Sequence, residues 1–211
     1  MKLKKIASLM LAGIMAVSML AACGEASSNS TETPDVTPVT GVAATVNGEL
    51  DKNAKKISFT DDKVVTDLLT NYFKENPVQA DKWTSATDAE AKHTIWYTGL
   101  QDTIKAVIGA KNENHQGMGN FDANSANVGT YFSMYVLNSD VLTKEDALRM
   151  VGQNIDSLNL PEEGKSDSTK TAKDVDFSYT GTVAAIEAES KGGTESVWVI
   201  VATITQTSAD K

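Results

Sequence analysis

The chain has 211 residues, with 19 basic and 28 acidic side chains and a net charge of −9. Such a balance repels polyanions, so nucleic acid is not an expected partner and a polybasic membrane-surface role is excluded. Its single cysteine, Cys23, rules out an internal disulfide and any metal site built on several thiolates.

In chain order, Lys2, Lys4 and Lys5 precede an apolar run over residues 6–19, interrupted only by small residues such as Ser8, Gly13 and Ser18. At about 15 residues this is a secretory signal, shorter than the ~20 that a spanning helix needs. Leu20-Ala21-Ala22-Cys23 closes the run, and these four residues resemble the lipobox of bacterial lipoproteins. The resemblance implies cleavage before Cys23 and a diacylglyceryl thioether on its sulfur. The chain would then sit, lipid-anchored, on the outer face of the bacterial cytoplasmic membrane. Two acyl chains meet the requirement for stable anchoring, at ~0.8 kcal/mol per buried CH₂. Loss of the signal (residues 1–22) removes three lysines and no acid, taking the net charge from −9 to −12.

Residues 24–41 are dominated by Ser, Thr, Pro and Glu. They bury too little to offset their ordering entropy and read as a tether with a mean reach of roughly 25 Å. Residues 42–207 then form one globular domain, and 208–211 a tail.

Within the domain, residues 42–46 are apolar and β-branched, and Asn47-Gly48 is a tight-turn signal, so a strand and a returning strand from Glu49 are expected. Ile57-Ser58-Phe59 reads as a further short strand. Thr60 caps a predicted helix with Asp61 and Asp62 in its first turn. Its stripe is Val64, Val65, Leu68, Leu69, Tyr72 and Phe73, and Pro77 ends it. Thr87 and Glu90 form a capping box for a second helix. Its stripe is Ile95, Trp96, Leu100, Ile104, Val107 and Ile108, and Gly109 is its stop. Gly99 inside it predicts close packing on a neighbour.

Residues 112–127 are an Asn/Gly-rich loop of a length usually kept for function. Val128, Tyr131, Phe132, Tyr135 and Val136 recur at helical spacing and predict a helix, with a strand as the alternative. Thr143 and Asp146 form another capping box, opening a helix with Ala147, Leu148, Val151, Ile155 and Leu158 inward. Residues 162–173 are a polar linking loop. Val175, Phe177 and Tyr179 alternate as a strand, and the shift of apolar parity after Val183 predicts a bulge. Lys191-Gly192-Gly193 is a turn. Residues 197–204 are apolar on both parities, which requires cover on both faces.

Site signals are sparse. His93 and His115 are not at metal-ligand spacing, and residues 122–127 start like a calcium loop but carry Ala126 and Asn127 where it needs Asp/Asn and Gly, so no metal is expected. No cofactor is expected either: Gly117-Met118-Gly119 lacks the rest of a phosphate-binding pattern. No Gly-x-Ser-x-Gly nucleophile elbow is present. Exposed aromatics suit sugar rings or peptide side chains. Trp83 and Tyr97 fall off the core stripes of a set that also includes Trp96, Tyr131, Tyr135 and Trp198. With His115 and Asp122 of the long loop they are the candidate ligand-binding residues. Leu142-Thr143-Lys144-Glu145-Asp146-Ala147-Leu148, followed by a predicted hairpin, is similar to PepSY-type modules of exported bacterial proteins, without their closing Asp-x-x-Thr-Gly.

The sequence therefore predicts an α+β fold, several helices on an antiparallel sheet with a C-terminal β-hairpin. Its expected role is non-catalytic, binding an extracellular ligand or envelope protein. The alternative is a small exported hydrolase with a site in the 112–127 loop and His115 as base.

Overall fold

The elements run β1 (Val36–Pro38), α1 (Val42–Gly48), β2 (Phe59–Asp61), α2 (Lys63–Glu75), α3 (Thr98–Ile108), β3 (Gly129–Asn138), α4 (Lys144–Asp156), β4 (Glu163–Lys165), β5 (Asp174–Glu189) and β6 (Ser196–Asp210). The computed structural model describes residues 34–51, 54, 56–78, 98–111, 121, 123, 128–166, 172–190, 193 and 195–211, all within one compact unit, Glu32–Lys211. Among them the fold is mixed α/β, with a six-stranded sheet ending in a C-terminal strand pair. No helix among the described residues is long and apolar enough to cross a membrane.

β5 and β6 are the spine. Their antiparallel register is unbroken from Val175↔Asp210 to Glu189↔Ser196. β3 pairs the far side of β6 over all ten of its residues. The outer edge of β5 carries three short strands: β4 at 174–176, β2 at 181–183 and β1 at 186–188. Only β2 runs parallel to β5. Three-residue strands cover a long edge without themselves offering much of a template for aggregation.

Each sheet face has its own core. On the first face Val183, Ala185, Ile200, Ala202, Ile204 and Leu137 join Val42 and Val46 of α1 and Leu148, Val151 and Ile155 of α4. On the second face Ala184, Ile186, Val199, Val201, Phe132 and Met134 join Val65, Leu69 and Phe73 of α2 and Leu100 and Ile104 of α3. Residues 197–204 are apolar on both parities because both faces are covered, as their pattern requires. The same fact corrects the expected bulge near Val183. The register does not slip there. Apolar residues switch parity because the second face becomes covered from Ala184 onward.

Several other expectations change. Residues 42–46 are helical, with Val42, Ala43 and Val46 buried together. Asn47 makes no hairpin turn. Its Nδ2 donates to Phe59 O at 2.9 Å and its Oδ1 accepts from the Phe59 N–H at 2.7 Å, so the side chain pairs with β2 as a neighbouring strand would. Residues 128–136 are strand. Phe132, Met134 and Val136 face one core and Tyr131, Tyr135 and Leu137 the other, and residues inward on both faces mimic helical spacing.

Thr60 and Asp61 belong to β2, and the cap of α2 is Asp62, which accepts from the Val65 N–H at 3.0 Å. Asp61 instead accepts from Ala43 N at 2.8 Å, in the first turn of α1. Two adjacent carboxylates thus serve the positive ends of two different helices. Thr143 does cap α4, accepting from Asp146 N at 3.2 Å.

Gly109 ends α3 at φ +66, a conformation glycine adopts without strain. A Cβ on Gly152 would lie 2.7 Å from the Glu49 Cβ, so its absence lets α4 sit against the end of α1. Among the described residues no atom lies within 4 Å of a Cβ built on Gly99, so the expected close packing is not seen there. β1 falls inside the stretch read as tether, with Val36 only 6% exposed. β4 lies in the expected 162–173 loop, and β6 runs through most of the expected tail. The Thr87/Glu90 capping box lies outside the described residues.

Candidate functional site

Among the described residues a partly exposed polar cluster lies where β5 and β6 approach their connection. Glu187 stands opposite Trp198 on β6 and opposite Thr37 on β1. β3 ends at Asn138, whose Oδ1 accepts from the Asp140 N–H at 2.9 Å and turns the chain. The turn puts Ser139 beside Ser196: its N–H donates to Ser196 O at 3.2 Å, and the two hydroxyls are themselves hydrogen-bonded. Both hydroxyls lie close enough to the Glu187 carboxyl to stabilise its ionised form. Trp198 is fixed by Nε1 donating to Leu142 O at 2.8 Å.

Burial pushes the Glu187 carboxyl above its usual range, and the negative charges of Glu189 and then Asp35 add to this. The two serine hydroxyls work the other way, because they stabilise the ionised form. Asp35 is held near by its carbonyl, which accepts from the Glu189 N–H at 3.0 Å. The arrangement combines an acceptor that protonates readily, two groups able to donate or accept, and the edge of a locked indole. It can recognise a polar ligand by hydrogen bonds.

A second network lies at the other end of β5. Tyr179 donates to Pro161 O at 2.6 Å and accepts from Gln206 Nε2 at 3.1 Å. Lys56 donates to Leu160 O at 2.6 Å and sits 5.7 Å from the Tyr179 ring centre. Burial, with a smaller push from Glu162, raises the Tyr179 phenol to about 12. A phenol kept neutral that firmly does not give up its proton, and this network fastens loops to the sheet.

The second sheet face changes character beyond the start of α2. Thr182 with Thr203, Thr180 with Thr205 and Thr130, and Ser178 with Thr207 form three hydroxyl ranks. Thr130 and Thr205 bond each other at 2.9 Å, and Thr182 donates to Asp62 at 3.0 Å. Threonine is the polar residue that best suits a solvated strand, which accounts for the array without a ligand.

Cys23, Trp83, Tyr97, His115 and Asp122 all lie outside the described residues. Among the described residues no group of three or more His, Cys, Asp or Glu is placed to hold a metal. Sequence reasoning missed Glu187, Ser139 and Ser196, which come together from β5, the turn after β3 and the start of β6. One signal was available: Glu187 is the lone charge in the otherwise apolar run 183–188. No protein-family model, curated protein or solved structure matches the chain.

Proposed function

We propose that the chain is an exported lipoprotein, anchored through Cys23 to the outer face of the cytoplasmic membrane, whose folded domain binds an extracellular ligand or envelope partner. Leu20-Ala21-Ala22-Cys23 at the end of a charged-then-apolar segment carries this reading. Support comes from the acidic charge, which suits a solvated surface domain, and from the hydroxyl–carboxyl cluster at Glu187. In this reading the ligand meets the polar end of the sheet.

Fractionation of the native producer tests the anchor. The unaltered protein is expected in the membrane fraction with a diacylglyceryl mass increment, and Cys23→Ser in the soluble fraction. An unmodified secreted product, or unchanged fractionation of Cys23→Ser, overturns it. Binding is tested by retention of the anchored protein on isolated envelope fragments. Glu187→Ala is expected to weaken retention, and equal retention would remove the Glu187 cluster from the reading.

A further inference from the structure

We propose that α3 is a detachable cover on the apolar half of the second sheet face, and that Gln101 sets how readily it lifts. Gln101 is 0% exposed, and neither its Nε2 nor its Oε1 has a hydrogen-bond partner. It belongs to the buried stripe of α3 together with Leu100 and Ile104, both also 0% exposed. A primary amide carries two donors and an acceptor, all satisfied in water and none satisfied here. Leaving such a group unpaired biases a closed state by roughly 5- to 150-fold toward any state that wets it.

Lifting α3 as a unit wets it. Among the described residues only side-chain contacts part, and a detached helix of 11 residues is marginal in water, so its i→i−4 bonds then open as well. The neighbouring helix lacks this weakness. The buried stripe of α2 is Val65, Leu69 and Phe73 alone. Its first turn is tied to the sheet by Asp62, whose N–H donates to Val183 O at 2.8 Å and whose carboxylate accepts from Thr182 at 3.0 Å. On α3 the ties to the sheet lie just past its C-terminal end. Lys111 N–H donates to Thr130 O at 2.7 Å, and Ala110 bridges Thr130. The cover therefore pivots about Gly109, Ala110 and Lys111. Phe132, Met134 and Val201 share the core cluster of Leu100 and Ile104, so opening loosens apolar packing on β3 and β6.

Hydrogen exchange read by mass spectrometry on the full chain tests this, comparing the unaltered protein with Gln101→Leu and Gln101→Met. Met matches the length of Gln, which guards against a result caused by misfit. In the unaltered protein, peptides of α3 are expected to exchange at least tenfold faster than those of α2 and α4. Gln101→Met is expected to slow α3 exchange at least fivefold and to leave α4 unchanged. The proposal is overturned if α3 is as protected as α4, or if folded variants leave α3 exchange unchanged or faster. Should neither variant fold, the exchange ratio in the unaltered protein decides.

Discussion

The two faces of the sheet are buried alike but held differently. On the first face the polar groups under the helices mostly have partners. Asn47 pairs with Phe59, Asp156 accepts from Ala54 N at 3.1 Å, the Trp198 indole bonds Leu142 O, and the Tyr179 hydroxyl bonds Pro161 O. Among the described residues the small Ser133 hydroxyl lacks one there. On the second face α2 is tied at its first turn by Asp62, but α3 is held along its length by apolar contact among the described residues, and a whole amide is left unpaired on its buried stripe. Apolar contact is non-directional and tolerates sliding or lifting, whereas a buried hydrogen bond fixes position and is costly to break. The comparison teaches that cover and fixation are separate properties, and that the first face has both.

The strongest way to break this contrast is to truncate one equivalent residue on each side. Leu148→Ala on α4 should cost about 2–5 kcal/mol of global stability, with every element losing protection in a urea titration followed by hydrogen exchange. Ile104→Ala on α3 should lower the protection of α3 itself and leave β5 and β6 nearly unchanged. Equal global loss from both would erase the distinction. A smaller effect tests the polar stitches. Asn47→Ala removes two hydrogen bonds to Phe59 and should cost about 2 kcal/mol, seen as a lower urea midpoint with the slope kept.

Much of the contrast was legible in the sequence, and the rest was not for identifiable reasons. The α4 cap at Thr143 and Asp146 could be read because both partners lie within one turn. The double-sided burial of residues 197–204 could be read because both parities are apolar. β3 was misread because a strand covered on both faces loses its two-residue period. Asn47 was misread because its partners on Phe59 are twelve residues away, and an Asn-Gly pair carries the same letters whether it turns a hairpin or ends a helix. The Glu187 cluster needs β1, β3, β5 and β6 assembled, and no local pattern encodes that.

Two finer effects sharpen the picture. Thr143→Ala removes the α4 cap and should cost about 1 kcal/mol by thermal or urea unfolding. A loss felt only in α4, with the sheet unchanged, would contradict the fixation of the first face. Glu187 should give the smallest effect, and one that depends on pH. Its carboxyl is raised in the fold, so the folded state holds the proton more tightly than the unfolded chain does. The fold therefore loses stability as pH rises from the ordinary Glu value through the raised one, and regains it as pH falls. Glu187→Gln should raise the melting temperature at pH 7 and leave it unchanged well below pH 4, near the ordinary carboxyl range. An equal shift at both pH values would show that the charge is not responsible.

The most direct measurement is the urea dependence of amide exchange, element by element, in the unaltered protein. At low urea the amides of α3 should exchange through a partial opening with a distinctly shallower urea slope, while those of α4, β5 and β6 share the steep slope of global unfolding. If α3 follows the same steep line as the sheet at every urea concentration, the two faces are held equally and the account fails.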